Sequence, residues 1–355
     1  MFTLLLLDCV DRFKGERSIS AVYHLLTGKR SAQTLQDAHM YKLSHYFGVY
    51  KSLDRNDFRN FIIQLRDQGY IAGNDEVASL TRNGKELFHK ENSVERLKEF
   101  NGINYNRMTH LCIQRLKLFV QTVTNIEAGN HTFIAINDNK EIQGWVRKLY
   151  YKNKSDLKLC LNRLYQELYT FLKGLEELEA TIFVERFTGS SSVGLSKEQI
   201  SRRYNLTFHD VEIKTELINH KLISFIIKNK QHVPLLAEFI EDLTNYLFMT
   251  ESAEKSYQLL SQGHSVEEIA KIRHLKVNTI HDHLVEIAYI DNEYDLSKFI
   301  SNEGVEQIKT CITNLKTRKL KVIKEDLQNR YSFFQIRLVL AIHPPDVKEK
   351  QENGQ

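Results

Sequence analysis

The chain has 355 residues, enough for two or three domains that each bury a core. Its 42% hydrophobic content excludes a wholly disordered protein, and no window approaches a membrane span. A formal charge of +4 and a pI near 8.6 are compatible with a nucleic-acid partner and decide nothing alone.

The first residues, MFTLLLLDCV, form a short apolar run broken by Asp8. The run lacks a basic leader and is too short for a signal peptide, so it reads as a buried segment. Ser18 to Leu26 predicts a helix, and Ala32 to Phe47 a second region ending at Gly48. Leu53 to Gln68 is the clearest helix of this part. Its buried stripe is Phe58, Phe61, Ile62 and Leu65, and Gly69 stops it. A hairpin follows: Tyr70 to Ala72, a turn at Gly73 and Asn74, and a return strand from Val77 to Leu80. A helix followed by a hairpin is the winged-helix order. Arg55, Asn56, Arg59, Asn60 and Arg66 would lie on the helix's open face, as a phosphate-contacting or simply solvated surface.

Asn92 to Lys98 reads as a charged connector, and Tyr105 to about Leu178 as helical. Leu157, Leu161, Leu164, Leu168, Leu172 and Leu175 give a wide leucine face, core or groove for a partner helix. Glu176, Glu177 and Glu179 are read as its solvated side. Gly189 to Gly194, GSSSVG, has the glycine spacing of a P-loop. The motif's lysine is replaced by Leu195, so no nucleotide-driven motor is expected.

Ser196 to Leu222 has helix-turn-helix grammar. Ser196 and Gln199 form a capping box, a turn falls at Asn205, and Thr207 restarts a helix. The pattern resembles the DNA-binding region of sigma factors, and Arg202, Arg203 and Lys214 would face phosphate. Ser252 to Ile290 repeats the grammar more fully. Gly263 ends one helix, Ser265 and Glu268 cap the next, and a third runs from about Asn278 to Ala288 with Ile280, Leu284 and Ile287 inward. The small Ala270 allows two helices to cross closely. Placed in a major groove, the last helix would present Asn278, Thr279, His281 and Asp282 to base edges, while Arg273, His274 and Lys276 would meet phosphates. Asp282 and Glu286, on the same presumed face, would oppose phosphate. After Glu303 to Leu315 comes a basic run without an acid, Lys316, Arg318, Lys319, Lys321 and Lys324. A last helix, capped by Ser332 and Gln335, precedes Pro344 and Pro345.

The expected fold is therefore mainly α. A winged-helix-like domain covers 1–95, a central helical domain with its own helix-turn-helix near 196–222 covers 96–250, a C-terminal helix-turn-helix domain covers 251–343, and a disordered tail covers 344–355. Cys9, Cys112, Cys160 and Cys311 are scattered, which fits a reducing cytoplasm rather than a disulfide or zinc framework. His281 and His283, two apart on a helix, cannot share a metal, and no catalytic motif or cofactor box is found.

The runs GHSVEEIAKIRHLKVNTIHDHL and YSFFQIRLVLA make the C-terminal part resemble the helix-turn-helix domain at the C-terminus of RecQ-type helicases. VYHLLTGKRSAQTLQDA, YFG and LTRNG make the N-terminal part similar to the YpbB family of Gram-positive bacteria. Members of that family are typically encoded beside a RecQ-type helicase. The resemblance implies a DNA-binding, non-enzymatic accessory that partners such a helicase in repair or recombination. A transcription regulator reading a fixed operator, or a scaffold contacting only protein, are the alternatives. The oligomeric state is not set by the sequence.

Overall fold

The computed structural model describes residues 1–90, 93–243, 249–291, 294–315 and 317–343, without the side chains of 90, 93 and 94. Asn92, Lys316, Pro344, Pro345 and the tail lie outside the described residues. In chain order the elements are α1 (Phe2–Phe13), α2 (Ile19–Thr27), α3 (Ala32–Met40), a 3-10 turn (Ser44–Tyr46), α4 (Arg55–Asp67), β1 (Ile71–Gly73), β2 (Ala78–Leu80), α5 (Arg82–Lys90) and α6 (Ser93–Leu97). They continue with α7 (Gly102–Glu127), α8 (Lys140–Asn153), α9 (Leu157–Leu172), α10 (Glu177–Glu185), α11 (Lys197–Arg203), α12 (Phe208–Lys228) and α13 (Pro234–Glu241). The last are α14 (Glu251–Ser261), α15 (Val266–Ile272), α16 (Val277–Ile290), α17 (Asn302–Leu315), α18 (Leu320–Asp326) and α19 (Phe333–Ile342). The fold is mainly α, as expected.

Local sequence explains most helix ends. The capping boxes at Ser196/Gln199, Ser265/Glu268 and Ser332/Gln335 all form, each serine accepting the third residue's N–H while that residue's side chain accepts the serine's own. Gly69 and Gly263 close α4 and α14 in the left-handed conformation. The next N–H turns back, from Tyr70 to the Leu65 carbonyl at 2.9 Å and from His264 to that of Leu259 at 3.2 Å. Helices α3, α11 and α15 close in the same way without glycine. Lys42, Asn205 and His274 take positive φ after α3, α11 and α15. The leucine after each, Leu43, Leu206 and Leu275, donates back at 2.7, 3.0 and 2.9 Å to Ala38, Ser201 and Ala270.

The chain forms two compact units that do not follow its linear order. Unit 1 holds Met1–Leu6, Gly48–Ser52 and Leu87–Tyr246, and unit 2 holds Leu7–Phe47, Leu53–Glu86 and Leu247–Gln355. The winged-helix elements and the C-terminal helix-turn-helix, expected as separate domains, therefore share one unit.

In unit 1, α12 runs through the core against α7, α10, α11 and α13. Leu217, Ile218, Leu222, Ile223 and Ile226 are fully buried. The leucine face of α9 packs onto this core, with Leu164 buried and Leu157, Leu161, Leu168 and Leu172 partly so. Glu167, on the same helix, is buried and accepts the N–H groups of Leu235 and Leu236 at 3.1 and 2.7 Å. It thereby serves the free N-terminal amides of α13. Arg115 holds Asp242 through two bonds of 2.7 and 2.8 Å and lies 4.4 Å from the Trp145 ring centroid. Glu179 corrects an expectation. It is buried, not solvated, and receives Arg96 and Lys221.

In unit 2, Asp8 sits inside the apolar face of α1. Tyr46 donates to it at 2.7 Å and Arg12 pairs with it at 2.7 Å, which is how a carboxylate is tolerated there. α4 buries Phe58, Ile62 and Leu65. The antiparallel hairpin pairs Ile71 with Leu80 and Gly73 with Ala78, and Asn74 accepts the N–H groups of Glu76 and Val77 in its turn. α14, α15 and α16 enclose Ala253, Ile269, Ala270, Ile280, Leu284 and Ile287.

Ala270 is buried in that cluster and its carbonyl already accepts Leu275. Ala270→Leu is expected to overpack it and cost about 1–3 kcal/mol. Urea unfolding of the full chain reads this, and an unchanged midpoint would show a looser crossing than described.

Candidate nucleic-acid interface

Three helix-turn-helix arrangements could each offer a helix to a groove, and burial separates them. A helix that follows a groove along its length needs an open face over that length, whereas one that enters by its N-terminus needs only its first turn open. On α4, Phe58, Ile62 and Leu65 point inward while Arg55, Asn56, Arg59, Asn60 and Ile63 are exposed or nearly so. Positions i, i+1, i+4, i+5 and i+8 share one face. Asp54 caps the helix by accepting from Asn56 and Asp57 at 2.7 and 3.1 Å. Arg66 leaves the open set, because it pairs with Asp75 of the hairpin turn at 2.8 Å. Arginine and asparagine match guanine and adenine edges in a major groove. The hairpin tip is acidic, with Asp75 and Glu76 exposed.

α16 is different. His283 to Tyr289 are seven consecutive buried residues, almost two turns, so every face of that stretch is covered. The covers are α14, α15, α19 and α3. Tyr289 stacks on His39 at 4.3 Å with parallel rings. Glu286, expected on the groove face, is buried. It accepts the Thr250 N–H and, at 3.1 Å, the Thr250 hydroxyl, with Arg30 at 3.9 Å. Burial raises its carboxyl above the usual range, and the Thr250 bonds work against that.

The turn before α16 and its first turn are open, with His274, Lys276 and Asn278 exposed and Thr279 partly so. Arg273 departs from the phosphate role. Its guanidinium donates to the Ser252 carbonyl, the Ser252 hydroxyl (3.0 Å) and the Ser256 hydroxyl, tying α14 to the turn. His281, expected at base edges, turns to an aromatic neighbour. It stacks on Phe334 at 3.9 Å, and burial lowers its pKa, which disfavours a cation at neutral pH. Asp282 pairs with Arg337 at 2.6 Å.

The basic run is split. Arg318 folds inward, its guanidinium 4.8 Å from the Tyr41 ring centroid and its backbone N–H donating to the Glu16 carboxylate at 3.4 Å. Lys324 lies 4.5 Å from the Phe333 ring centroid. Lys319 and Lys321 stay exposed, Lys321 at 3.9 Å from Glu325. In unit 1, Arg202 is exposed, Arg203 pairs with Glu185 at 2.6 Å, and α12 is enclosed like α16. Sequence patterns alone do not single out Lys117 and Arg186, which line a cleft of unit 1. The signal lay in Lys117 itself, a cation between the buried Leu116 and Leu118.

Comparison with known proteins agrees with this architecture at both ends. A model described as RQC domain matches residues 3–101, and one described as helix-turn-helix domain matches residues 252–340. Over 345 residues the chain is 29% identical to Protein YpbB of Bacillus subtilis strain 168, covering 96% of this chain and 97% of that protein, and is a homologue of it. No solved structure matches the chain. The two domain types suggest DNA binding of the RecQ C-terminal kind. Among the described residues no helix is long and apolar enough to cross a membrane.

The cover on α16 carries a pH dependence. Burial pushes His39 down to about 4, so the fold holds it neutral. Its contribution is complete above about pH 6.5, the unfolded value, and is lost as pH falls from there toward 4. His45, also pushed down to about 4 by burial, adds the same sign. Stability of the full chain is therefore expected to drop between pH 7 and 5, by on the order of 1–2 kcal/mol per histidine. Urea midpoints at the two pH values for wild type and His39→Phe measure it, and equal slopes would remove His39 from the account.

Proposed function

We propose that this homologue of YpbB is a non-enzymatic DNA-binding protein that partners a RecQ-type helicase in repair or recombination. It would meet duplex or branched DNA chiefly through α4. The observation that carries the reading is the open face Arg55, Asn56, Arg59 and Asn60 beside a hairpin, within the segment matched by the RQC model. α12 and α16 lack such a face, which makes them organisers of their units. The open residues His274, Lys276, Asn278, Lys319 and Lys321, with Arg202, are secondary phosphate contacts in this proposal. The helicase partnership rests on the RecQ-like domain types at both ends.

Fluorescence anisotropy on single-stranded, duplex and forked DNA over a salt series tests the DNA part. The Arg55→Gln/Arg59→Gln variant is expected to lower the slope of log affinity against log salt by roughly 2, at about 0.9 for each phosphate no longer neutralised. Lys319→Gln/Lys321→Gln should give a smaller reduction, and Arg273→Gln a loss of stability with no change of slope. An unaltered slope in the α4 variant would refute the interface. For the partnership, a RecQ-type helicase should unwind forks at a different rate when the protein is added. An identical rate on every substrate would leave DNA binding standing and discard the partnership.

A further inference from the structure

Unit 1 holds a cleft of about 750 Å³ lined by α7, α10, α12 and the segments 48–52 and 187–197. That volume suits a small organic ligand. Four cations line it, Lys51, Lys117, Arg186 and Lys197, against two carboxylates, Glu212 and Glu216. Both carboxylates are engaged, Glu212 by Lys197 and Glu216 by His220 at 3.3 Å. Among the described residues no carboxylate bonds Lys117 or Arg186. Arg186 keeps a buried guanidinium nitrogen, Nη1, without any hydrogen-bond partner, and the hydroxyl of the buried Thr215, also on the cleft wall, is likewise unpartnered. Buried donors of this kind ordinarily find an acceptor.

The cations also repel one another. Burial first, then Arg186 and Lys197, push the Lys117 ammonium down to about 7. Burial lowers Arg186 as well, against the pull of Glu212 and Glu198. A folded chain that keeps like charges together in a half-buried cleft is arranged for an anion. The wall beside them is aromatic, with the Phe187 ring centroid 6.0 Å from the Lys117 ammonium. The glycine loop at 189–194 does not supply the anion's donors. Its Gly189 N–H goes to the Ser192 carbonyl at 2.9 Å and its Gly194 N–H to the Thr188 hydroxyl at 3.0 Å. The donors here are side chains, unlike those of a P-loop.

We propose that this cleft binds a nucleotide through its phosphate, with Lys117, Arg186 and Thr215 donating to the phosphoryl oxygens and Phe187 flanking the base. The phosphate could belong to a free nucleotide or to the 5′ end of a DNA strand. The inference does not rest on α4. DNA ending in a 5′-hydroxyl tests α4, and a terminal phosphate or a free nucleotide tests the cleft.

The experiment uses the full chain. Calorimetric titration with AMP and ATP is the free-nucleotide arm. Anisotropy of one short oligonucleotide with a 5′-phosphate and with a 5′-hydroxyl is the strand-end arm. Binding in the first arm, or tighter binding of the 5′-phosphate in the second, is expected and identifies the source. Lys117→Gln and Arg186→Gln should each weaken that binding about tenfold or more, while Lys117→Arg, which keeps the charge, should retain it. The thermal midpoint without ligand checks that each variant folds. No response of the wild-type protein to AMP, ATP or the 5′-phosphate overturns the proposal whatever the variants do. So does binding that both glutamine variants leave intact.

Discussion

A helix stretch covered on every side cannot lie in a groove, and this constraint separates the helices of unit 2 that pack from those that stay open. From His283 to Tyr289 every side chain of α16 is buried, and its neighbours come from both ends of the sequence, α3 on one hand and α14, α15 and α19 on the other. The interior of the stretch is polar where it has to be. Glu286 is anchored by Thr250, and the Ser256 hydroxyl meets His283 at 2.9 Å. Each of these buried polar groups has a partner that it would forfeit if α16 were pulled out. Of the residues expected to meet DNA in this unit, the open ones are on the outer face of α4, around the first turn of α16, and Lys319 with Lys321.

The same local grammar thus meets different tertiary fates. α11–α12 and α15–α16 begin from a capping box, a seven-residue helix and a left-handed turn residue, yet both second helices become core. α4 has a narrow apolar stripe with arginine and asparagine opposite, and it stays at the surface. Hydrophobic distribution around the axis tracks the difference. The run HLVEIAYI places apolar side chains on adjacent positions of α16, a sign of enclosure carried by the amino-acid order itself. The helix-turn-helix pattern describes the start of that helix and is silent on its second half.

Formal charge hides a second sorting. Arg273, Arg318 and Arg337 look like phosphate contacts when counted, but each is drawn toward a hydroxyl, a ring or a carboxylate of its own unit. Arg55 and Arg59 remain exposed. Lys117 and Arg186 do the opposite, hidden in a helical run and a helix end yet facing a cleft. Whether an arginine binds outward depends on which acceptors the fold brings within reach, and a linear count does not contain that.

What the sequence determined by itself is local. Helix starts at Ser196, Ser265 and Ser332, stops at Gly69 and Gly263, the hairpin around Asn74 and the inward stripe of α4 all follow from neighbours within a few residues, where capping bonds and period decide the outcome. What only the tertiary structure decided involves partners distant in the chain. The enclosure of α12 and α16, the burial of Glu179 and Glu286, the inward turn of Arg273 and Arg318, and the sharing of one unit by the winged-helix elements and the C-terminal helix-turn-helix are of this kind. A side chain's exposure is set by the elements packed over it, and burial and charge pairing are properties of that packing rather than of spacing along the chain.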